Sequence, residues 1–362
     1  LNNGHPGRQQ LHSSNDHGLF LRRQKMSRSA EAGLALTLAT TTSASHKAGL
    51  FEPYRIAVLV PCFNEEAAIG TVVKDFRAAL PVATIFVFDN NSTDNTAEIA
   101  RAAGAEVFEE KHRGKGFVVR RMFADVDADI YVLVDGDATY DAPSARRMIE
   151  RLIDGQLDMV VGTRVDHDKV AYRTGHRAGN RILSGFVAWV FGPSFNDMLS
   201  GYRVFSRRFV KSFPVLSGGF EIETELTVHA LELGLPVEEI ETPYYARPEG
   251  SSSKLSTWRD GFRILRTIAN LYRAERPLPF FVFLGLIAGL VSIGLAVPIV
   301  ITFLETGLVP RLPTAVLATG LMLLAFLCGA VGLVLDTVTR GRREMKLLAY
   351  LSQHATRTHP RG

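Results

Sequence analysis

Asp135 and Asp137, with only Gly136 between them, close the apolar run Ile130-Tyr131-Val132-Leu133-Val134. The run reads as a strand buried on both faces. In an open α/β sheet, ligands gather just beyond the carboxyl ends of the strands. Carboxylates at i and i+2 in that place form a hard-oxygen claw for Mg²⁺ or Mn²⁺, ions that usually also hold substrate phosphates. An Asp-Gly pair is equally a common hairpin turn, so these three residues alone leave both readings open.

The elements that must position them follow from the surrounding pattern. Ile56–Val60 reads as a strand, and Pro61-Cys62-Phe63-Asn64-Glu65-Glu66 follows it. Asn64 is placed to cap a helix whose first turn carries Glu65 and Glu66 against the dipole. Ile69, Val72, Val73, Phe76 and Leu80 supply its apolar face. Ile85–Phe88 is a second strand ending on Asp89-Asn90-Asn91-Ser92-Thr93-Asp94, and the next helix stops at Gly104, a plausible C′ residue. A short strand around Glu106–Phe108 leads through Lys111-His112-Arg113-Gly114-Lys115-Gly116 into a helix bearing Val118, Met122 and Phe123. Beyond the acid pair come a helix to Gly155 and a strand, Met159–Thr163. Strands alternating with helices imply parallel βαβ units and a doubly wound sheet. Asn64, Asp89, Asp135 and Asp137 all fall at strand ends, a coincidence that favours a ligand site over unrelated turns.

The following stretch is less regular. Arg164–Gly175 is polar, a helix is expected over His176–Phe191, and Asp197-Met198-Leu199-Ser200-Gly201-Tyr202-Arg203 leads into a short strand at Val204–Phe205. Phe220–Leu233 reads as a helix bearing Glu221, Glu223 and Glu225, ended by Gly234. Residues at i and i+2 of a helix do not face each other, so at most one of Glu223 and Glu225 points into a site. Val237–Tyr245 is a further strand, and Ala246–Lys254 a basic Gly/Ser-rich loop.

In a chain of 362 residues with a formal net charge of +4, the apolar content is concentrated after Pro277. Leu278–Leu304 and Pro313–Val338 are each long enough to cross a hydrocarbon core, which needs about 20 apolar residues. Arg259, Arg263, Arg266, Arg273 and Arg276 precede the first, and Arg340, Arg342, Arg343 and Lys346 follow the second, whereas the connector offers only Arg311. That asymmetry predicts an integral membrane protein with both flanks, and the large domain, on the cytoplasmic side. Leu255–Tyr272 is amphipathic, with Trp258 and Phe262 opposite arginines, and suits the headgroup layer or a linker packed on the domain. The expected division is a disordered tail over 1–50, a domain over 51–254, the amphipathic helix over 255–276, two spans within 277–339 and a basic cytosolic tail over 340–362. The chain begins with Leu, and Met26 could be a natural start. Two cysteines, Cys62 and Cys328, argue no disulfide framework. Nucleic acid is not an expected partner.

Taken in order, Val60-Pro61-Cys62-Phe63-Asn64-Glu65, Asp89 through Asp94, Arg113-Gly114-Lys115-Gly116, Asp135-Gly136-Asp137, Ser200-Gly201-Tyr202-Arg203 and Arg247 through Lys254 resemble the motifs of family 2 glycosyltransferases with the GT-A fold. More closely, the stretch from Arg55 to Lys254 is similar to dolichol-phosphate mannose synthases and bacterial polyprenyl-phosphate glycosyltransferases, and the paired C-terminal spans match the membrane-anchored bacterial branch. The resemblance implies inverting transfer of a sugar from a nucleotide-diphosphate donor to a polyprenyl phosphate at the bacterial inner membrane. It implies Mg²⁺ or Mn²⁺ on Asp135 and Asp137, and a homo-oligomer, with a tetramer favoured. The donor would be met by Pro61, Asn64, Glu65, Asp89, Lys115, Asp135, Gly136, Arg247 and Lys254. Arg164, Arg181, Ser184 and Arg203 are candidates for the acceptor phosphate. Asp137, Asp197 and Arg203 are the catalytic candidates, Asp197 orienting the acceptor or taking a proton. Two departures stand out: Thr139 occupies the place where relatives often carry a metal-holding Gln, and Asp89-Asn90 replaces the more usual pair of acids. A processive polysaccharide synthase is the nearest rival, though its Gln-x-x-Arg-Trp motif is absent. An inactive membrane scaffold is the rival of another class.

Overall fold

The computed structural model describes residues 51–166, 197–219, 221–247 and 272–354, with 185, 195 and 270 as single positions. The expected N-terminal tail, the body of the His176–Phe191 helix and the amphipathic 255–269 stretch lie outside the described residues.

Seven strands form a sheet: β1 Ile56–Cys62, β2 Thr84–Asp89, β3 Glu106–Glu109, β4 Ile130–Leu133, β5 Met159–Asp166, β6 Arg203–Ser206 and β7 Val237–Tyr244. Their order is β3-β2-β1-β4-β6-β5-β7. Parallel pairing joins β3, β2, β1 and β4, and also joins β5 to β7. Only β6 is reversed, running antiparallel to both β4 and β5. The reversal has a functional consequence. The carboxyl ends of β1, β2, β4 and β5 share one edge of the sheet, and the amino end of β6 comes to that same edge. The turn over Asp197–Tyr202 is therefore delivered to the strand ends from the opposite chain direction.

The helices are α1 Ile69–Ala79, α2 Thr96–Ala102, α3 Lys115–Asp125, α4 Ser144–Asp154, α5 Arg207–Ser212, α6 Ile222–Leu233, α7 Pro277–Thr306 and α8 Leu312–Leu351. On one face of the sheet, Leu59, Tyr131, Leu133 and Phe205 pack with Val119, Met122 and Phe123 of α3, Phe209 of α5 and Leu226 of α6. Caps fit the local sequence: Asp141 accepts the Ser144 amide at 2.9 Å to start α4, and Gly234 (φ 64°) ends α6 in the left-handed conformation.

One expected element start is corrected. α1 begins at Ile69, not at Asn64. Asn64 has φ 54°, and the amides of residues 64–66 turn to the loop after β2. Asn64 donates to Ser92 Oγ at 2.9 Å, Glu65 to Thr96 Oγ1 at 2.9 Å and Glu66 to Asp94 Oδ2 at 3.2 Å. The positive φ takes Asn64 out of the helical region and its side-chain oxygen accepts the Thr93 amide at 2.8 Å instead of capping α1, so the loops after β1 and β2 form one unit.

α7 and α8 are long and apolar enough to cross a membrane. Their contact is close-packed through small residues: a Cβ on Gly285 would meet the Ala325 carbonyl oxygen at 2.9 Å, and Ser292 Oγ donates to the Ala318 carbonyl at 2.6 Å. Their outer faces carry exposed Phe283, Leu286, Leu290, Leu323 and Phe326. α8 extends well past the expected span end at Val338, so the start of the expected basic tail is helix.

Candidate active site

The strand ends enclose a cavity of about 380 Å³ lined by Pro61, Phe63, Glu65, Asn90, Lys115, Asp135, Gly136, Asp137 and Arg247, among others. Each of the two central acids is held by a base. Lys115 Nζ lies 2.5 Å from Asp135 Oδ1 and 2.5 Å from Glu223 Oε1, while Arg247 Nη2 lies 2.7 Å from Asp137 Oδ2. Burial disfavours the Lys115 ammonium, but Asp135 and Glu223 more than reverse that and raise its pKa. Asp137 is buried, and burial pushes its carboxyl above the usual range. The charge of Asp135 pushes the same way, with Arg247 and Thr139 opposing.

Thr139 does not stand as a third claw. Its Oγ1 donates to Asp137 Oδ1 at 2.6 Å and its amide to the same oxygen at 3.2 Å, which orients the carboxylate. Of the two helix acids, Glu223 faces the site and Glu225 does not. Glu225 accepts the amides of Leu216 and Ser217 at 2.8 and 2.9 Å.

Asp89 is buried, and its Oδ2 accepts the Ser92 amide at 3.1 Å. Its Oδ1 has no hydrogen-bond partner among the described residues. A buried acceptor in that state can take a donor from water or from a ligand. Asn90 uses both ends of its amide: Nδ2 donates to the carbonyls of Glu110 (3.1 Å) and His112 (2.7 Å), and Oδ1 accepts the Gly114 amide at 2.7 Å. An aspartate could not donate, so the Asn in place of the usual second acid fixes the loop that delivers Lys115.

Asp197 is gripped by Arg164 through two 2.7 Å contacts, Nε to Oδ2 and Nη2 to Oδ1. Burial alone would raise the Asp197 pKa, but the Arg164 hydrogen bonds and charge hold it below the usual carboxylate range. The Arg164 fork is thus engaged by Asp197 in this state. Arg203 corrects an expectation outright. It is fully buried, donating to the carbonyls of Ser200 (3.0 Å) and Met198 (2.6 Å) and to Thr227 Oγ1 (2.9 Å). Burial lowers its pKa to about 10. With no accessible atom it cannot meet an acceptor phosphate, and it braces the turn that carries Asp197. Arg181, Ser184 and Lys254 lie outside the described residues.

Comparison with known proteins agrees with this arrangement. Residues 57–212 match Glycosyl transferase family 2. The glycosyltransferase AglJ of Haloferax volcanii is 36% identical over 246 residues, spanning 67% of this chain and 80% of that protein. The chain is a family 2 glycosyltransferase. A dolichyl-phosphate hexose transferase of the same organism is 27% identical over 221 residues, 61% of this chain and 95% of the relative. Glucosyl-3-phosphoglycerate synthase from Mycobacterium tuberculosis, solved with Mn²⁺, UDP-glucose and phosphoglyceric acid, superposes with a TM-score of 0.52 at 23% identity, covering 62% of this chain and 81% of that one. That likeness identifies the mostly parallel sheet as the GT-A fold.

The glycosyltransferase therefore takes its sugar from a nucleotide sugar, and its site can be tested for a metal. Among the described residues no group of three or more His, Cys, Asp or Glu side chains could hold an ion alone. Two hard carboxylates do fit Mg²⁺ or Mn²⁺ when substrate phosphates and water complete the shell. Burial first, and then the charge of Asp135, disfavour the Asp137 carboxylate, and a dication would offset both.

Glycines form a layer of the site that composition did not reveal. A Cβ on Gly201 would sit 2.4 Å from Asp135 Oδ2, and one on Gly136 2.6 Å from Cys62 Sγ. Gly114 and Gly116 would place theirs 2.0 and 2.1 Å from the carbonyl oxygens of Gly218 and Ser217. Tyr140 was also missed. Its buried hydroxyl accepts the Gly201 amide at 3.0 Å, tying the loop after the acids to the Asp197–Arg203 turn. The signal in the sequence was the glycine beside each motif, yet only the fold shows what each glycine makes room for.

Proposed function

We propose that the enzyme transfers a hexose from a nucleoside-diphosphate sugar to a polyprenyl phosphate at the cytoplasmic face of a membrane, with inversion and with a divalent cation. The observation that carries this reading is the covalent union of a nucleotide-sugar transferase domain with two apolar helices whose outer faces expose Phe283, Leu290 and Phe326. An apolar surface of that extent belongs in lipid. A transferase tethered there meets an acceptor dissolved in lipid, and the likeness to a dolichyl-phosphate hexose transferase supports the same class.

The residues then take these roles. Asp135 and Asp137 would hold the cation, which when bound supplies Lewis-acid neutralisation of the departing nucleoside diphosphate. Lys115, kept in place by Glu223, and Arg247 would meet the diphosphate oxygens. Asp89 Oδ1, Glu65 and Pro61 would meet the nucleoside side of the donor, with Asn64 shaping the loop beside it. Arg164 and Asp197 would orient the acceptor as a pair. A phosphate monoester has a second pKa of about 6 and is largely ionised at neutral pH, so attack needs positioning and charge stabilisation more than proton removal.

The test incubates membranes holding the full chain with a panel of labelled nucleotide sugars and polyprenyl phosphate, and follows label into the lipid extract. Asp137→Ala is expected to abolish transfer while the protein still inserts and folds. Label recovered only in polymer, or wild-type turnover in that variant, would overturn the reading.

A further inference from the structure

The far end of α8 touches the transferase domain at side chains that the chemistry does not use. α8 has 40 residues, about 60 Å at 1.5 Å per residue, against about 30 Å of hydrocarbon. Its charge-free part ends at Asp336, and the helix continues to Leu351. On this extension Lys346 Nζ lies 2.7 Å from Glu232 Oε2, and Tyr350 donates from its hydroxyl to Asp158 Oδ2 at 2.8 Å. The Arg208 guanidinium lies 4.9 Å from the centre of the Tyr350 ring and binds Asp158 Oδ1 at 2.5 Å. Asp158 and Glu232 are both buried. Exposed ion pairs contribute little, but a buried carboxylate that loses a partner is penalised strongly. These contacts are therefore specific and hard to break.

The entry to the first apolar helix is tied to the same place. Arg342 binds Glu275 Oε1 and the Ala274 carbonyl, both at 3.1 Å, and Thr339 Oγ1 donates to that carbonyl at 3.3 Å. α6 links this junction to the site. Its first turn presents Glu223 to Lys115, and its last turn presents Glu232 to Lys346, nine residues or about 14 Å along one rigid rod.

We propose that the Asp336–Leu351 end of α8 is a clamp that sets the height and tilt of the catalytic domain over the bilayer, with Lys346 and Tyr350 as its positioning residues. It rests on the lipid-phosphate reading above, and it implies that transfer to an acceptor held in a bilayer depends on the clamp while the chemical step does not.

The experiment uses the full chain in lipid nanodiscs and in detergent. Lys346→Ala with Tyr350→Phe is expected to slow transfer to long-chain polyprenyl phosphate in nanodiscs by about tenfold or more, as misplacement by an ångström or so does elsewhere. Transfer to a short, water-soluble prenyl phosphate in detergent is expected to stay within about twofold of wild type. The exchange Lys346→Glu with Glu232→Lys is expected to recover the nanodisc rate. Equal loss on both acceptors, or loss on neither, would overturn the clamp. A readout free of activity separates this from the acceptor assignment: a fluorophore on Lys74→Cys, exposed on α1, is quenched by headgroup-labelled lipid. A changed quenching profile in the double variant supports the clamp even if wild type uses no prenyl phosphate, in which case the acceptor reading alone falls. Unchanged quenching sinks the clamp whatever the acceptor.

Discussion

Gly136 sits between the two acids, and its replacement by alanine isolates packing from charge. The new Cβ would meet Cys62 Sγ at 2.6 Å, with Pro61 O and Val60 Cγ1 next at 3.5 Å. Only the sulfur is too close, and Cys62 is buried on β1, so it cannot swing away. Overpacking of this kind costs about 1–3 kcal/mol. For a domain of this size each kcal/mol lowers Tm by about 2–4 °C, so Gly136→Ala is expected to lower the apparent Tm by roughly 2–12 °C. Because the displaced segment carries Asp135 and Asp137, Mn²⁺ binding in the presence of nucleotide is expected to weaken with it. Cys62→Ala removes the clashing atom and leaves ordinary 3.5 Å contacts. The double variant should therefore recover most of both losses relative to Gly136→Ala. Differential scanning fluorimetry and Mn²⁺ titration by electron paramagnetic resonance read the two quantities separately. A Gly136→Ala protein that matches wild type, or a double variant no better than the single, would refute the close-packing argument.

Gly201→Ala is expected to do the converse, sparing stability but displacing the part-exposed Asp135 carboxylate, whose Oδ2 would lie 2.4 Å from the new Cβ. Mn²⁺ titration should show weakened binding at near-constant Tm. Arg203→Met leaves the Met198 and Ser200 carbonyls without their donor, at about 1–3 kcal/mol each. Denaturant unfolding should report that loss, whereas an acceptor-binding role would lower transfer in a protein of unchanged stability. His229 is buried against Phe209 and Phe213, and burial first, then the Lys346 charge, lowers its pKa to about 3. The unfolded chain protonates near pH 6.5 while the folded one does not, so stability falls as pH drops from 6.5 towards 3, by about 1.4 kcal/mol per unit. His229→Phe should flatten that part of the unfolding profile, a difference of about 2 kcal/mol between pH 6.5 and 5.

Much of this was legible before any coordinates. The strand positions, the gathering of Asp89, Asp135 and Asp137 at one edge, and the limit of one inward acid on α6 follow from period and from where apolar runs stop. What escaped was set by partners distant in sequence. Asn64 has the composition of a helix cap, but Ser92 and Thr93, 28 and 29 residues on, capture its amide and its side chain. Arg203 stands among the phosphate candidates because Ser200-Gly201-Tyr202-Arg203 resembles a family motif and a guanidinium offers bidentate geometry. The antiparallel insertion of β6 between β4 and β5 buries it instead, and sequence period does not reveal strand direction. Thr139 reads as a weakened metal ligand until the short bond to Asp137 shows it orienting that carboxylate.

The way the site handles its acids bears on which acceptor it can use. Among the described residues Asp135 is paired with Lys115, Asp197 with Arg164 and Glu223 with Lys115. Against burial, the Arg164 hydrogen bonds and charge hold Asp197 below the usual carboxylate range, so it is a poor general base. Asp137 is bound by Arg247 but is still raised, by burial first and then by Asp135, and it is also the acid that a dication would claim. A sugar hydroxyl, as a polysaccharide synthase uses, must lose a proton on attack and so asks for a base with a pKa near the working pH. An ionised phosphate asks for none. Under the proposed function, an acceptor that arrives already negative would need no base, and the pairing of Asp197 with Arg164 supports a lipid phosphate over a growing glycan.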